Sequence, residues 1–511
     1  MRLCPPFVAA LSTSVMIGCS AGPDFERPDR PSATRYTAEP LALQTTAAPG
    51  PGGAAQTFVP EMDIPGEWWT LFQSPQLDVL VKEALRANPD IEAAQAALRQ
   101  SRQLLFAQQG SLFPTLSANA LGQQQLASAA ASGMTGDATM YGVTSGSLNI
   151  AYSPDVFGGV RRAVESRAAL AEFQRFELEA AYLSLSANVV VAAINVASLQ
   201  AQIDATRDII RIVGDSLRVV RLQLDLGGAS AADVLAQEAI LAQIQATLPP
   251  LQKQLALQRN QLMRLLGRSP DQDRGETFDL AKLKLPTELP VSLPSQLVEQ
   301  RPDVRAAEAQ LRAASADIGV AVANQMPQFT ITAALGLTSA GISSLFVPGS
   351  GIWSVGLGIA QTLFDGGRLD SQRKAAIAAY ERAAAQYRGV VLSAFQDVAN
   401  ALRSLQIDAE ALRVQVAAEQ TAAASLRLAE QQYQLGGVNY LILLNAQQTY
   451  QTAVINRLRA QATRYSDTAA LFQALGGGWW NRRDVDPKSM GEPSRFSLPP
   501  IQDIKLPRAG R

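Results

Sequence analysis

Histidine is absent from this chain of 511 residues, and cysteine occurs only at Cys4 and Cys19. Without histidine, the chain lacks the commonest general base and the commonest metal ligand. The body of the chain after Cys19 also has no thiol for a disulfide bond, a nucleophile or a zinc site. These absences argue against an enzyme, and the sequence predicts no catalytic residue, no cofactor and no metal site.

Neither sign of charge is in excess, because 44 Lys and Arg residues are balanced by 45 Asp and Glu residues. Proteins that bind nucleic acid through its phosphates carry a basic surface, so we expect no nucleic-acid partner. Long apolar runs are also lacking, since even residues 189–199 are interrupted by Asn195 and Ser198. A spanning helix needs roughly 20 apolar residues. If the chain crosses a membrane, β-strands must do so.

The N-terminus has the features of a secretion signal, with Arg2 followed by an apolar run over residues 7–17 and then Gly18 and Cys19. A small residue before a lone cysteine is typical of a bacterial lipoprotein cleavage box, in which Cys19 becomes the lipidated first residue. An ordinary signal peptide with a chance cysteine is the alternative. We predict a lipoprotein signal peptide at residues 1–18, and a lipid anchor with an extended, Pro- and Ala-rich tether at residues 19–65.

An internal duplication organises the rest of the chain. Three pairs of short segments recur in order: Asn88-Pro89-Asp90 with Arg301-Pro302-Asp303, Phe113-Pro114 with Met326-Pro327, and Leu226-Gly227-Gly228 with Leu435-Gly436-Gly437. Each half predicts a helix, two strands joined by a loop, a long helix, a Gly-Gly turn and a return helix. We assign repeat 1 to residues 66–280, repeat 2 to residues 281–480 and a polar periplasmic tail to residues 481–511.

Four stretches alternate polar and apolar residues with a period of two, at 115–123, 145–152, 329–337 and 353–361. Each is close to the roughly 9 to 11 residues of a membrane strand. In the last stretch, Trp353, Val355 and Leu357 share one face, which suits lipid, while small residues occupy the other face. A half-buried strand of a soluble sheet shows the same alternation. Loops rich in Gly, Ser and Ala are predicted at residues 126–144 and 339–352.

Four strands do not close a membrane barrel, whose smallest common form has about eight strands. Copies of the chain must therefore combine if these strands span a membrane. Two chains would supply eight strands, and three chains would supply twelve.

Residues 160–226 and 368–435 contain no proline, so each stretch is able to form a helix of about 100 Å at roughly 1.5 Å per residue. Apolar residues recur along these helices at steps of three and four, as in a coiled-coil seam. The seam residues are Ile203, Thr206, Ile210, Val213, Leu217, Val220 and Leu224 in the first half, and Leu402, Leu405, Ala409, Leu412, Val416, Ala423, Leu426 and Tyr433 in the second. Pro249-Pro250 is expected to kink or break the first return helix.

Several motifs resemble the TolC-like outer membrane factor family, in its lipid-anchored branch. They are Cys19-Ser20-Ala21-Gly22-Pro23-Asp24-Phe25 at the mature start, Trp68-Trp69-Thr70-Leu71-Phe72 at the opening helix, Gln361-Thr362-Leu363-Phe364-Asp365-Gly366-Gly367-Arg368 at the last junction and Ala474-Leu475-Gly476-Gly477-Gly478-Trp479-Trp480 at the end. The resemblance implies an α+β membrane protein with four transmembrane β-strands and long coiled-coil helices per chain. A homotrimer would then form a 12-stranded β-barrel in the outer membrane and an α-helical barrel in the periplasm.

The function that the resemblance implies is the exit duct of a tripartite efflux pump, which passively conducts drugs or other small molecules from periplasm to exterior. Its implied partners are outer-membrane lipid, a periplasmic adaptor (membrane fusion) protein and an inner-membrane transporter of the RND type. An outer-membrane duct for type I protein secretion is one alternative. A periplasmic coiled-coil adaptor or scaffold is another.

The resemblance also implies candidate sites beyond the lipidation of Cys19. The hairpin tips that would dock the adaptor contain Gly227, Gly228, Ser230, Asp233, Gly436, Gly437 and Asn439. The candidates for a periplasmic gate are Arg221, Asp225, Tyr433, Gln434 and Tyr440. Members of the family often carry an acidic ring at the second tip, where this chain has Val438, Asn439, Tyr440 and then Asn445.

Overall fold

The computed structural model describes residues 21–29, 31–33, 35–128, 133, 135 and 137–482. Cys19, the predicted signal peptide and the tail from residue 483 lie outside the described residues. Contacts divide the chain into a helical unit, formed by residues up to 98, 157–327 and 361–482, and a sheet unit, formed by residues 99–156 and 328–360. Each sequence repeat therefore contributes to both units.

The two halves of the chain contain the same elements in the same order. The first half consists of β1 (Thr57–Pro60), α1 (Pro75–Ala87), α2 (Pro89–Gly110), β2 (Thr115–Ala127), β3 (Thr139–Tyr152), α3 (Gly159–Asp225) and α4 (Ala231–Leu265). The second half consists of β4 (Glu288–Val291), α5 (Pro294–Gln300), α6 (Pro302–Ala323), β5 (Gln328–Ser339), β6 (Gly351–Ala360), α7 (Arg368–Gln434) and α8 (Tyr440–Ala474). The predicted internal duplication is confirmed.

The segment that was predicted as a tether packs on the helical unit. Its strand β1 pairs in parallel with β4, so the small sheet joins the starts of the two halves. Gln56 is buried and donates a hydrogen bond to Thr468 at 3.1 Å. Arg464, also buried, donates to the Ala54 carbonyl at 2.6 Å. Hydrogen bonds to α8 therefore hold this extended chain in place.

The larger sheet is antiparallel, with the strand order β2-β3-β5-β6. Its strands contain the four predicted stretches except for Gln361, which follows β6. The first two strands are longer than the alternation suggested. Pairing continues to Ala127↔Thr139, so the predicted loop at residues 126–144 was too long. Backbone hydrogen bonds extend the two strands through glutamines and glycines that give no apolar alternation.

The long helices α3 and α7 each have 67 residues, and their bounds lie within one residue of the prediction. Each is preceded by a glycine with positive φ: Gly158 at +78° and Gly367 at +86°. Glycine adopts this left-handed conformation without the steric cost that a Cβ imposes. Gly158 and Gly367 thus mark where the two long helices begin.

The predicted seam residues are mostly buried, with small corrections. Ile209 is more deeply buried than the predicted Ile210, and Ala422 more than Ala423, because a helix with 3.6 residues per turn drifts against a heptad repeat. Leu224, at the end of the seam, is 37% exposed. Glu419, a charged exception in the second seam, pairs with Arg457 of α8 at 2.6 Å.

Pro249 and Pro250 do not break α4, which is continuous from Ala231 to Leu265. The break, one of the two expected outcomes, was wrong, and the kink stays a prediction. Each proline removes its own N–H from the helical hydrogen bonds and crowds the carbonyl of the preceding turn, a cost that packing of the helix has to offset. Ile244 packs with Ile209 and Val213 of α3, and such tertiary packing supplies most of the stability of helices in proteins.

By length and composition alone, α3 is the one helix in the described part of the chain that is able to span a membrane. More than half of its apolar window, 56%, is buried inside the chain. Isolated polar residues such as Asn195 did not lower the overall hydropathy as much as the sequence argument assumed. The core helices of folded proteins are mostly buried. The apolar composition of α3 is therefore explained by its packing within the helical unit.

Candidate functional site

One face of the four-stranded sheet carries large apolar side chains in register. Opposed residues form rows across all strands, Leu116–Ile150–Ala333–Val355 and Ala118–Leu148–Leu335–Trp353. Trp353, Val355 and Leu357 are 78%, 72% and 69% exposed. A continuous apolar surface of this kind marks a site that lipid or another apolar surface covers.

The opposite face of the same sheet is small and polar. One of its rows is Ser117–Asn149–Ala334–Ser354. The Asn149 side chain donates to the Ser147 hydroxyl at 3.0 Å, so polar groups on this face bond to each other. An apolar face and a wet face on alternating residues are the pattern of a transmembrane barrel strand.

The outer edges of this sheet are open, because β2 and β6 each have one neighbouring strand within the chain as described. An open edge presents unpaired N–H and C=O groups, which a further strand is able to satisfy. In a lipid environment these groups have no water to bond, so an open sheet has to close.

Both long helices end in the same hydrogen-bonded turn. The Gly228 N–H donates to the Gln223 carbonyl at 2.7 Å, and the Gly227 N–H donates to the Leu224 carbonyl at 3.0 Å. Gly227 has a φ of +73°, and this set of features is a Schellman motif. The second tip repeats it with Gly437 to Gln432 at 2.7 Å, Gly436 to Tyr433 at 3.0 Å and a φ of +72° at Gly436.

The return helices begin with capping residues that were predicted as docking residues. The Asp233 N–H donates to the Ser230 hydroxyl at 3.2 Å, and the Ser230 N–H donates to the Asp233 carboxylate at 2.9 Å. Hydrogen bonds from Ser230 lower the pKa of the Asp233 carboxyl below its usual value. Asn439 accepts from the Ile442 N–H at 3.2 Å at the start of α8. Ser230, Asp233 and Asn439 thus cap helices, and their part in docking stays a prediction.

The two hairpins pack against each other near their tips. Their shared core consists of Leu217, Val220, Val234, Leu426, Ala429, Tyr440, Leu443, Leu444 and Ala446. The rings of Tyr433 and Tyr440 lie 5.1 Å apart. Tyr440 is 5% exposed, and its hydroxyl has no hydrogen-bond partner among the described residues. Burial places Tyr440 in the packing of one protomer, and a role at a gate stays a prediction.

The charged gate candidates lie on the surface of the first hairpin. The Arg221 guanidinium pairs with Glu238 of α4 at 2.7 Å, within its own hairpin. Asp225 and Gln434 are exposed, and neither has a side-chain hydrogen bond or ion pair to another residue in the described ranges. The structure thus brings together Tyr433 and Tyr440, but not Arg221 and Asp225.

Sequence reasoning missed two buried glutamines on the return helices that bond to α3. Gln237 is buried, and its side chain donates to the Val213 carbonyl at 3.0 Å. Gln447 is also buried, and donates to Ser216 at 3.3 Å. The available signal was a glutamine inside an otherwise apolar seam, because a polar residue there often fixes the register of paired helices. Within the described residues, His, Cys, Asp and Glu form no group of three or more that is arranged to hold a metal ion.

A protein-family model matches most of this chain and identifies its family. The model described as outer membrane efflux protein matches residues 80–268 and 293–477, once in each half of the chain. The chain belongs to the outer membrane efflux protein family.

The relatives of this outer membrane efflux protein agree with that assignment. It is 31% identical to the probable efflux pump outer membrane protein SepC of Pseudomonas putida, over 92% of this chain and 96% of SepC. The toluene efflux pump outer membrane protein TtgF, from another strain of Pseudomonas putida, gives the same values. Among solved structures, the outer-membrane channel OprN has a TM-score of 0.81 at 29% identity, covering 90% of this chain and 100% of OprN. The open MtrE outer membrane channel of Neisseria gonorrhoeae has a TM-score of 0.77 at 26% identity, covering 90% of this chain and 99% of MtrE.

This outer membrane efflux protein is therefore an α+β channel protein of the outer membrane that extends into the periplasm and acts as the exit duct of an efflux pump. Its β2-β3-β5-β6 sheet is the transmembrane part, so the apolar face with Trp353 is the surface that suits lipid. The alternative of a periplasmic adaptor or scaffold is excluded.

Proposed function

We propose that this outer membrane efflux protein works as a homotrimer in which three four-stranded sheets close one twelve-stranded barrel. The observation that carries the proposal is the sheet itself, which has an apolar face, a polar face and two open edges. Pairing of β2 of one copy with β6 of the next satisfies both edges. Three copies supply twelve strands, above the minimum of about eight for a membrane barrel.

The trimer is a passive conduit and not an enzyme, and an inner-membrane transporter of the RND type drives export. A periplasmic adaptor protein links the transporter to the tips around Gly227 and Gly436. Both tips are tight, well-capped reversals, so they present a defined surface to the adaptor. Lipidation of Cys19 adds an anchor in the outer membrane.

The transported compounds are small organic molecules. Two relatives support this class: TtgF is named for toluene efflux, and the antibiotic efflux pump outer membrane protein ArpC of Pseudomonas putida is 28% identical over 93% of this chain. On the polar face of the sheet, Asn149 and Ser147 bond to each other, which leaves these two side chains less free to bind a passing molecule. Weak binding is what a conduit needs, because a tightly held molecule leaves slowly.

Planar-bilayer conductance of the purified protein, measured together with its mass in detergent, tests the proposal. We expect discrete unitary currents from a species of three chains. A monomer that never conducts would overturn the trimeric duct. ATP hydrolysis by the purified protein would contradict the passive role, and an N-terminal peptide without a lipid mass at Cys19 would contradict the anchor.

A further inference from the structure

The residues directly behind the predicted lipid-bearing cysteine are held against the helical unit. The Ala21 N–H donates to the Phe157 carbonyl at 2.9 Å, and the Arg162 Nε donates to the Ala21 carbonyl at 3.1 Å. Both backbone polar groups of Ala21 are thus bonded to the chain around the start of α3. In a flexible tether these groups would bond to water.

Arg162 is the centre of this contact, and its side chain is 6% exposed. A buried guanidinium requires partners for its N–H groups. Its Nη2 donates to the Asp24 carboxylate at 2.6 Å and its Nη1 to Glu165 at 2.8 Å. Glu165 belongs to α3 itself, whereas Asp24 and the Ala21 carbonyl are supplied by the N-terminal segment. Two of the three partners therefore depend on docking of that segment.

Two glycines allow the segment to approach α6 closely. Gly22 has a φ of +81°, and a Cβ at this position would lie 2.5 Å from the Gly319 Cα. A Cβ at Gly319 would lie 2.7 Å from the Ala21 carbonyl oxygen. Neither position accommodates a side chain without displacing backbone. We call the contact of Ala21, Gly22 and Asp24 with Arg162 and Gly319 the N-terminal dock.

A second ion-pair contact extends the dock along the chain. The Arg27 guanidinium pairs with Glu308 of α6 at 2.9 Å and with Glu299 of α5 at 3.3 Å. The segment from Ala21 to Arg27 is therefore attached at both of its ends. Exposed ion pairs of this type contribute little individually to stability. The contact at buried Arg162 therefore does most to fix where the N-terminal segment docks.

The dock lies on the part of the chain that follows a transmembrane strand, because β3 ends at Tyr152 and α3 begins at Gly159. Ala21 is two positions after Cys19, and two residues of extended chain span at most about 7 Å. We propose that Arg162 is a positioning residue for the lipid anchor, which fixes the point of attachment of the acyl chains to the start of α3. This inference rests on the proposed lipidation of Cys19. An anchor at a fixed place loses less conformational freedom when it enters the membrane than one on a free tether.

Spin-label distances test the proposal, and the cysteine-free body makes introduced labels unique. Labels at Ser20→Cys and Ser184→Cys, the latter an exposed site on α3, report the position of the attachment point. The sample is the acylated trimer, with labelled chains diluted among unlabelled copies. We expect one narrow distance distribution in the parent protein. We expect a broad one in Gly22→Ala and Arg162→Ala, and an intermediate one in Arg162→Lys, which keeps the charge but loses the forked geometry.

The control variant is Arg211→Ala, which removes an exposed arginine of α3 whose pair with Asp208 spans 3.8 Å, and its distribution should equal that of the parent. Deuterium uptake by residues 21–29 gives a readout without labels, and should rise at least about tenfold in rate in Gly22→Ala, a loss of about 1.4 kcal/mol of protection. Gly22→Ala leaves the sequence of α3 intact, so it remains informative if Arg162→Ala does not fold.

Failure of the inference is distinguishable from failure of the proposed lipidation, because the mass of the N-terminal peptide is measured on the same samples. An acylated parent with a broad distribution would overturn the positioning role and leave the lipid anchor standing. Equally narrow distributions in the parent, Gly22→Ala and Arg162→Ala would also overturn it. A parent without acylation would remove both proposals, even if the dock itself is protected from exchange.

Discussion

The hydroxyl of Tyr433, at the end of α7, donates a hydrogen bond to the side-chain oxygen of Gln223, at the end of α3, at 3.0 Å. These two residues belong to different hairpins and different sequence repeats. The bond therefore ties the two tips of one protomer together, beside the shared core that contains Tyr440. Any motion that separates the hairpins at their tips has to break it.

Tyr433→Phe removes this bond and keeps the ring. We expect a loss of about 0.5–1.5 kcal/mol in the free energy that holds the tips together, and hence larger or longer unitary openings in planar bilayers. The matched control is Tyr450→Phe, because the Tyr450 ring packs against the same core and no hydrogen bond of its hydroxyl occurs in the described structure. Equal conductance in both variants and the parent would show that the Tyr433 bond does not restrain the tips.

The glycine with positive φ at each tip gives a second prediction. Gly227→Ala forces an alanine into the left-handed region, which costs roughly 1–2 kcal/mol, and we expect lower thermal stability and weaker cross-linking to the adaptor. Gly228→Ala is the control, because a Cβ there meets its nearest atom at 3.5 Å, an ordinary contact. If the two alanine variants behave alike, the Schellman turn is not what shapes the docking tip.

Much of this architecture was predictable because its signals are local. The Gly-Gly pairs mark where α3 and α7 end, and alternation of apolar residues marks each transmembrane strand. The pairing of β1 with β4 was not predictable, since each strand has four residues and its partner lies far along the chain. The same reason hid the burial of Arg464, whose partners lie in the N-terminal segment.

The candidate site was predictable to a lesser extent. The sequence located both tips, because glycines and capping residues stand next to each other there. It did not reveal that Tyr440 is buried or that Gln223 bonds Tyr433, because both depend on how two hairpins pack. Periodicity shows which side of a helix is apolar, but not which neighbour covers it.

A half-buried pair of carboxyl groups, Asp408 and Asp467, makes the stability of the helical unit depend on pH. Burial, followed by the hydrogen bond and charge of Asp408 on α7, raises the pKa of Asp467 on α8 from 3.8 to about 8. Between about pH 4 and pH 8, the Asp467 carboxyl therefore keeps its proton in the folded state and has lost it in the unfolded state. Stability contributed by this proton is complete below about pH 4 and declines as pH rises towards about 8.

Asp467→Asn keeps a neutral side chain at this position and should flatten that decline. We expect the parent to lose thermal stability between pH 5 and about 8, and the variant to lose less. Asp208→Asn is the control, because Asp208 is 72% exposed on α3 and should leave the slope unchanged. The measurement is the unfolding temperature of the detergent-purified protein at each pH. The result that would contradict this is a parent protein whose stability rises from pH 5 to about 8, with a rise that Asp467→Asn abolishes. The pKa of Asp467 would then be lowered by folding and not raised.

Adjacent residues of β6 test which face of the sheet contacts lipid. Val355 lies in the apolar row with Leu116, Ile150 and Ala333, and Ser354 lies in the polar row on the other face. A lysine in the middle of the lipid-facing surface costs about 2–4 kcal/mol, so Val355→Lys should sharply reduce the fraction of protein that resists urea extraction from outer membranes. Ser354→Lys places the same charge one residue away, where water is able to solvate it, and should assemble nearly as well as the parent. Both variants place a lysine in the same strand, so neither its charge nor its strand propensity explains a difference in assembly between them. If Ser354→Lys fails to assemble and Val355→Lys does not, the apolar rows face the interior and the assignment of the two faces is reversed.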